Sequence, residues 1–457
     1  MLIDRSGSIS IADTALSPAA GDRRPVETQS YFSLGAPVTT IHAVEADTDL
    51  DTFDPPRIAD RLYHDLLSPP ETAQVRRRVR RIAADTIAPI ASRIARGDER
   101  IDGFPRDAFD SLAAAGVFRI PFSGDVGGDD LTHRATATAV AVEELAYYSN
   151  SVAAIFDVHC ILAGNAVNQG TDAQRRRWLA PVVAGEIVGS FATSEPGASS
   201  DLSPIAVTTE ATPTDTGWVL NGRKRWITNS AVAAFVVVLA RTGSRLSTFI
   251  VPTDTPGVTI GTPDRKLGNK GQITADVILD QVQVDSDAML GEEGGGLKIA
   301  LQTLTYGRIG IAAAGVGMAQ AAFDHTAAHL ARRHAFGGPL ASKQHWQFLM
   351  ADRATAIESA RDLYLKAALR LDSGVAFPEP EAAMAKLRGT EISVEMARDA
   401  VQAFGGLGFT QSLGADDTDG PVEAFYRDSK IGEIYEGANE VQKWVLARQI
   451  FGREITG

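Results

Sequence analysis

Residues 217–229 read GWVLNGRKRWITN. β-Branched and aromatic side chains flank an Asn-Gly pair, so the stretch is expected to turn at Asn221 and Gly222. It should continue as a strand with Trp226 and Thr228 on one face, because strand side chains alternate. Between about 189 and 290 similar short runs recur, IAVTTEAT, FVVVLART, STFIVP and ADVILDQVQV, separated by Gly, Pro, Asp and Asn turns. They predict a β-domain, sandwich or barrel, over 189–292.

On both sides the period changes. Val75, Val79, Ile82, Ile87, Ile90 and Ile94 recur at helical spacing, with the arginines of VRRRVRR mostly between them, so that basic run is expected to be a solvated helix face. Helical patterning continues through FPRDAFDSLAAAGV, ATATAVAVEELAYYS and DAQRRRWLAPVVAGE, giving an N-terminal helical domain over 70–188. Beyond GEEGGGLK further helical segments start near 294, 341, 380, 391 and 439, giving a helical domain over 293–457. The fold class is α+β multidomain. Residues 1–69 are rich in Asp, Ser, Thr, Ala and Pro without a sustained period, and read as a flexible or loosely docked extension.

Composition narrows the function. A chain of 457 residues with 44% hydrophobic residues and 42 glycines has the make-up of a soluble globular protein large enough to bury a cofactor. A formal net charge of -13 gives no general attraction for nucleic acid or an anionic membrane. The single cysteine, Cys160, cannot form an intrachain disulfide and reads as a small buried hydrophobe, consistent with a cytoplasmic location. AVAAFVVVLA at 231–240 is the most apolar run; it is half the length of a membrane span and reads as a buried strand. No GxSxG, HExxH, P-loop or paired CxxC pattern is present. No metal site is expected, and His159 reads as a core histidine.

Four stretches remain. FATSEPGASSD at 191–201 forces a turn and frees Ser194, Ser199, Ser200 and backbone N–H groups as donors, a nest suited to a phosphate or a ring edge; alone it is a polar loop. GWVLNGRKRWITN supplies Trp226 and Thr228; alone, Trp226 is ordinary β-domain core. QAFGGLG at 402–408 and YRDSKIGEIYEGANEVQ at 426–442 follow in order. Together with RRHAFGGPLASKQHWQF and with KLGNKGQITADVILDQVQV running into GEEGGGLKIALQTL, this series resembles the acyl-CoA dehydrogenases along nearly the whole chain from about residue 70. That family has a helical domain, a β-domain and a C-terminal four-helix bundle.

The resemblance implies FAD as cofactor. Phe191, Thr193, Ser194, Trp226 and Thr228 match positions that embrace the flavin, and Ser200 a contact to cofactor or substrate phosphate. Arg333 and Phe336 match residues that reach the FAD of a neighbouring subunit, where a guanidinium suits a pyrophosphate. Gln402, Gly405 and Gly406 match the segment that receives the diphosphate and adenosine. These roles imply a homodimer or homotetramer. Tyr435, Gly437 and Arg308 are placed at the substrate, although Arg308 reads equally as an ion pair to a neighbouring helix.

Glu436 matches the glutamate that removes the α-proton of an acyl thioester while the β-hydrogen leaves as hydride. Its alternative is an acid favouring the dipole of the helix that follows. Some family members carry the base on the long helix, beside its arginine; here that position is Gly307. The run GRIGIA suggests a short or branched acyl group. Three departures from the family pattern stand out: Ser199 replaces a usual glycine, Ala438 replaces a threonine that hydrogen-bonds the cofactor, and the extension over residues 1–69 has no counterpart. The leading expectation is an acyl-CoA dehydrogenase serving an electron-transfer flavoprotein. An acyl or peptidyl carrier-protein thioester as substrate, a flavin monooxygenase and a non-catalytic flavin-binding scaffold are the alternatives.

Overall fold

The computed structural model describes residues 57–58, 68–99, 103–198 and 200–456. Most of the expected extension, and Ser199, lie outside the described residues.

The first long helix, α1 (Pro70–Thr86), begins on a proline, whose missing N–H costs nothing in a first turn. It buries Thr72, Val75, Arg76, Val79 and Ala83 as one stripe. Pro89 then interrupts it, and the chain re-forms helix only at Ala91–Arg96. The basic run departs from expectation here. Arg77 and Arg81 are exposed, but Arg76 is buried and Arg80 half-buried, and both ion-pair with Glu143 or Glu144. Two carboxylates inside a helical core need counter-charge, and α1 delivers it one turn apart.

Those carboxylates belong to α3 (Arg134–Tyr148), which follows the short α2 (Arg106–Ala114). Residues 135–147 of α3 are all buried, so it is a core helix without a solvent face. The next helical run, α4 (Asn150–Asn168), is the one among the described residues long and apolar enough to cross a membrane by length and composition, and it is 94% buried inside the protein. This run, and not 231–240, comes nearest to a spanning segment. Its middle, Asp157–Gly164, is wound as a π-helix.

The β-domain is one eight-stranded sheet in the order β6-β7-β3-β2-β4-β5-β8, with β1 added beside β4. The strands are β1 (Gly189–Ala192), β2 (Glu210–Pro213), β3 (Gly217–Thr228), β4 (Phe235–Thr242), β5 (Arg245–Pro252), β6 (Val258–Ile260), β7 (Thr274–Asp285) and β8 (Met289–Leu290). Both faces of β4 are covered. Phe235, Val237 and Leu239 join the helical core, and Val236, Val238 and Ala240 the β-domain interior, which is why the run is continuously apolar.

Strand β3 corrects two expectations. Asn221 and Gly222 make no turn, since β3 runs through them with a bulge in its pairing to β7. A second bulge lies between Lys224 and Ile227, and Trp226 takes a left-handed backbone, φ 57°. Period two therefore fails at this point: Trp226 is 59% exposed, not core, while Thr228 is 9% exposed.

The C-terminal bundle comprises α5 (Gly296–Arg332), α6 (Gln344–Asp372), α7 (Glu379–Phe404) and α8 (Asn439–Phe451). The segments expected to begin near 380 and 391 are one helix. Gly389 in its middle packs directly on α5, where a Cβ would stand 2.6 Å from Ala312 O. Helix α3 packs on α5 and α6, so one apolar core serves both helical domains.

Candidate active site

Glu436 lies between a 3-10 turn, Lys430–Glu433, and α8. Its backbone is left-handed, φ 54°, followed by Gly437 at 88°. For a glutamate that conformation costs about 1–2 kcal/mol and persists only where the surroundings impose it. It does not cap α8, whose N-cap is Ala438. The carboxylate instead crosses to α5: a Cβ at position 307 would stand 2.6 Å from Glu436 Oε2, and 2.9 Å from Leu162 Cδ2. Gly307 is the space that Glu436 fills.

One turn further along α5, a Cβ at position 310 would stand 2.2 Å from Asp157 Oδ1. Positions three apart share a helix face, so two carboxyl groups lie side by side over a glycine stripe. Asp157, 1% exposed, opens the π-helical segment of α4, an irregularity that often accompanies functional sites. Neither Asp157 oxygen nor Glu436 Oε2 has a hydrogen-bond partner among the described residues. Burial lifts the Glu436 carboxyl from its ordinary 4.5 to about 7, against the pull of Arg308 and Lys386. Burial, with repulsion from Glu436, holds Asp157 well above the usual carboxylate range, so it stays neutral. Lys386 is lowered by its burial to about 7, with Glu436 opposing, and its Nζ donates to Asn439 Oδ1 at 2.9 Å.

Arg308 Nη1 donates to both oxygens of Glu379, at 3.0 and 2.8 Å, so the helix-to-helix ion pair exists. Its buried Nε has no partner among the described residues and lies 3.9 Å from where a Cβ on Gly437 would stand. The same side chain thus ties α5 to α7 and faces the Glu436 segment. The Tyr435 hydroxyl is buried near Asn150 and Asp157.

A second face is assembled around the turn at 193–198. Phe191, near the end of β1, is almost fully buried. Below the turn, Lys224 and Glu195 form an ion pair at 2.8 Å with both side chains inaccessible. Glu195 also accepts from Thr208 N, Thr208 Oγ1 and Thr209 N at 2.7, 2.5 and 2.9 Å, and Lys224 Nζ donates to Thr193 O at 3.3 Å. Opposite charge and three donors hold Glu195 down to about 2. A buried pair this fully bonded acts as a strut: Thr193 and Ser194 are held on it, with Ser194 O accepting from Arg225 N at 2.9 Å. Ser200 is exposed. Trp226 presents its ring with the Arg225 guanidinium 5.3 Å from the ring centre. Asn229, next to Thr228, donates to Ile155 O at 3.3 Å, two residues before Asp157, so the end of β3 meets the carboxyl pair.

The other expected residues are elsewhere. Arg333, Phe336, Gln402, Gly405 and Gly406 are exposed, Phe336 to 93%. Both segments sit at one end of α5 and α7, where the His329 ring stacks on Phe404 at 3.9 Å. Arg333 lies about 39 Å along α5 from Gly307, at 1.5 Å per residue. These residues do not join the Glu436 site of their own chain.

The sequence reading missed Asp157, Lys386, the Glu195–Lys224 pair and Gln272, whose Nε2 donates to Thr228 Oγ1 at 2.7 Å. The one local signal was charge inside apolar strand and helix runs. His159 is a core residue as expected: Nε2 lies 3.0 Å from Val182 O, Nδ1 accepts from Gly189 N at 3.2 Å, and burial lowers it to about 4. Cys160 is fully buried.

Family models for the N-terminal, middle and C-terminal domains of acyl-CoA dehydrogenases match residues 69–186, 190–282 and 294–451. The mitochondrial short-chain specific acyl-CoA dehydrogenase of Rattus norvegicus is 38% identical over 385 residues, covering 83% of this chain and 90% of the relative. The solved butyryl-CoA dehydrogenase of Megasphaera elsdenii superposes with a TM-score of 0.77 at 33% identity, covering 84% of this chain and 98% of the other. A chain solved in work on the electron transferring flavoprotein of Acidaminococcus fermentans reaches 0.79 at 33% identity, covering 85% and 100%. With identity spread over all three domains and the fold shared throughout, this chain belongs to the acyl-CoA dehydrogenase family and is an FAD-dependent oxidoreductase.

Proposed function

We propose that the enzyme dehydrogenates a short or branched acyl-CoA between its α and β carbons, giving the trans-2-enoyl thioester, with Glu436 as base and an electron-transfer flavoprotein as acceptor. The observation that carries this reading is the Glu436 carboxylate, unpartnered at Oε2 and seated on Gly307. A carboxyl raised to about 7 by burial is a far better proton acceptor than an exposed glutamate, yet it is half ionised at neutral pH. Among the described residues nothing accepts from the Glu436 N–H, which leaves it free to donate to the thioester oxygen and stabilise the enolate as the α-proton leaves. Neutral Asp157 places no second negative charge beneath that enolate.

The FAD face fits the residues present. An exposed indole on a rigid bulge offers a flat apolar surface, and Ser194 and Thr228 offer hydroxyl groups beside it. When bound, FAD supplies the acceptor for the β-hydride. Phe191, Thr193, Ser194, Trp226 and Thr228 hold its ring system, with Ser200 toward a phosphate. Arg333, Phe336, Gln402, Gly405 and Gly406 complete its binding from a second copy of the chain, in a dimer or a dimer of dimers.

A panel of acyl-CoAs tests the substrate. Butyryl- and isobutyryl-CoA are expected to turn over with far higher kcat/KM than octanoyl-CoA. Turnover of butyryl groups only when they ride on a carrier protein would contradict the free-CoA reading.

A further inference from the structure

A buried chain of hydrogen bonds runs from the Glu436 segment to Thr228, and its side-chain directions follow from one fixed donor, Gly271 N, which donates to Ser151 Oγ at 3.2 Å and so turns the Ser151 hydrogen to Asn269. Asp428, eight residues before Glu436 and 8% exposed, accepts from Asn269 N at 2.5 Å. Asn269 is fully buried and left-handed, φ 54°. Its Oδ1 accepts from Asn150 Nδ2 at 3.1 Å and from Ser151 Oγ at 3.3 Å. Its Nδ2 therefore faces Gln272 and donates to Oε1. That fixes the Gln272 amide, whose Nε2 donates to Thr228 Oγ1 at 2.7 Å. A hydroxyl has a single hydrogen. With a donor already on its oxygen, Thr228 must aim that hydrogen away from Gln272, and nothing among the described residues accepts it.

We propose that Gln272, oriented by Asn269, is a positioning residue that presents the Thr228 hydroxyl to the bound flavin as a hydrogen-bond donor. The inference rests on the reading that the flavin ring lies against Thr228. An unconstrained threonine hydroxyl divides its time among three rotamers and both roles; the amide pair removes that choice before the cofactor arrives. Because Asn269 also holds Asp428 and α4 through Asn150, the donor is set by the elements that carry Glu436 and Asp157.

The test is a double-mutant cycle on Gln272→Met and Thr228→Val, read as FAD dissociation constant of the apoprotein and as position of the flavin visible band. T228V is expected to weaken FAD about tenfold, the worth of one good hydrogen bond, and to move the band. Q272M is expected to do so by a smaller factor, and to have no further effect in the T228V background. A structural role alone would make the two losses multiply, and would overturn the inference. Unchanged affinity and spectrum in T228V would instead overturn the reading that the flavin contacts Thr228. Should Q272M fold poorly, Gln272→Leu serves, since it too removes the amide donor and adds no group that could replace it; a wild-type affinity and spectrum in Q272L would overturn the inference equally.

Discussion

The two ends of α5 present opposite kinds of surface. Near Gly307 and Gly310 the space left by missing side chains is filled by Glu436 and Asp157, to the point that a single methyl would collide with either carboxyl. Near Arg333, and at Gly405 and Gly406 on the neighbouring α7, the chain offers exposed Phe336 and Phe409, at 93% and 84%, and a Cβ on Gly405 or Gly406 would meet nothing within 4 Å. The first end is filled by side chains of the same chain. The second has apolar and glycine surface that none of the described residues covers, as a segment meant for another molecule would.

The contrast can be broken most severely at its centre. Glu436→Gln keeps the shape and removes the base, so kcat should fall on the order of ten-thousandfold while bound flavin remains. Next in size, Gly307→Ala drives a methyl into the carboxylate. Displacing a reacting group by about an ångström costs on the order of a hundredfold in kcat/KM, and Gly414→Ala, at an exposed residue with open space around it, provides the control.

The second end is sharpened by mixing. If Arg333 serves the partner's cofactor, E436Q and R333A subunits, each nearly inactive, regain activity when refolded together. In a two-fold dimer half the random pairs are mixed and one of their two sites is intact, so roughly a quarter of wild-type activity returns. No recovery would assign Arg333 to its own chain.

Smaller effects follow from charge. Glu436 must be ionised to act, so kcat/KM should rise tenfold per pH unit up to about 7 and then level. Stability runs the other way. The folded carboxyl has the higher pKa, so its contribution is complete below 4.5 and is lost as pH climbs through about 7. Thermal unfolding of E436Q should lack that fall. The smallest change is expected at Ala438, which caps α8 without a side-chain hydrogen bond: Ala438→Ser should add about 1 kcal/mol to stability in denaturant unfolding.

The difference between the two ends also explains what could be read from the residues alone. Runs whose environment is uniform along their length were legible: FVVVLART is apolar because β4 is covered on both faces. The motif residues at 191–194, 226–228 and 436 stand out because their order along the chain matches a known family, and the structure sets Glu436 over Gly307 and Thr228 beside Gln272. What a neighbour decides was not. Arg76 reads as solvated until Glu143 lies against it, Trp226 reads as core until a bulge turns it outward, and Asp157 reads as one helical acid among many until Gly310 and Glu436 meet it. Alternation and helical period report a local average, whereas bulges, buried ion pairs and glycine contacts are made by segments far apart in the chain.

The central claim is that Glu436, held over Gly307, takes the substrate's α-proton. The most direct measurement is an anaerobic titration of wild type and E436Q, at equal FAD occupancy, with butyryl-CoA, following the visible absorbance of the flavin. The account predicts prompt bleaching in wild type and none in E436Q over hours. Equal bleaching in both proteins would contradict it.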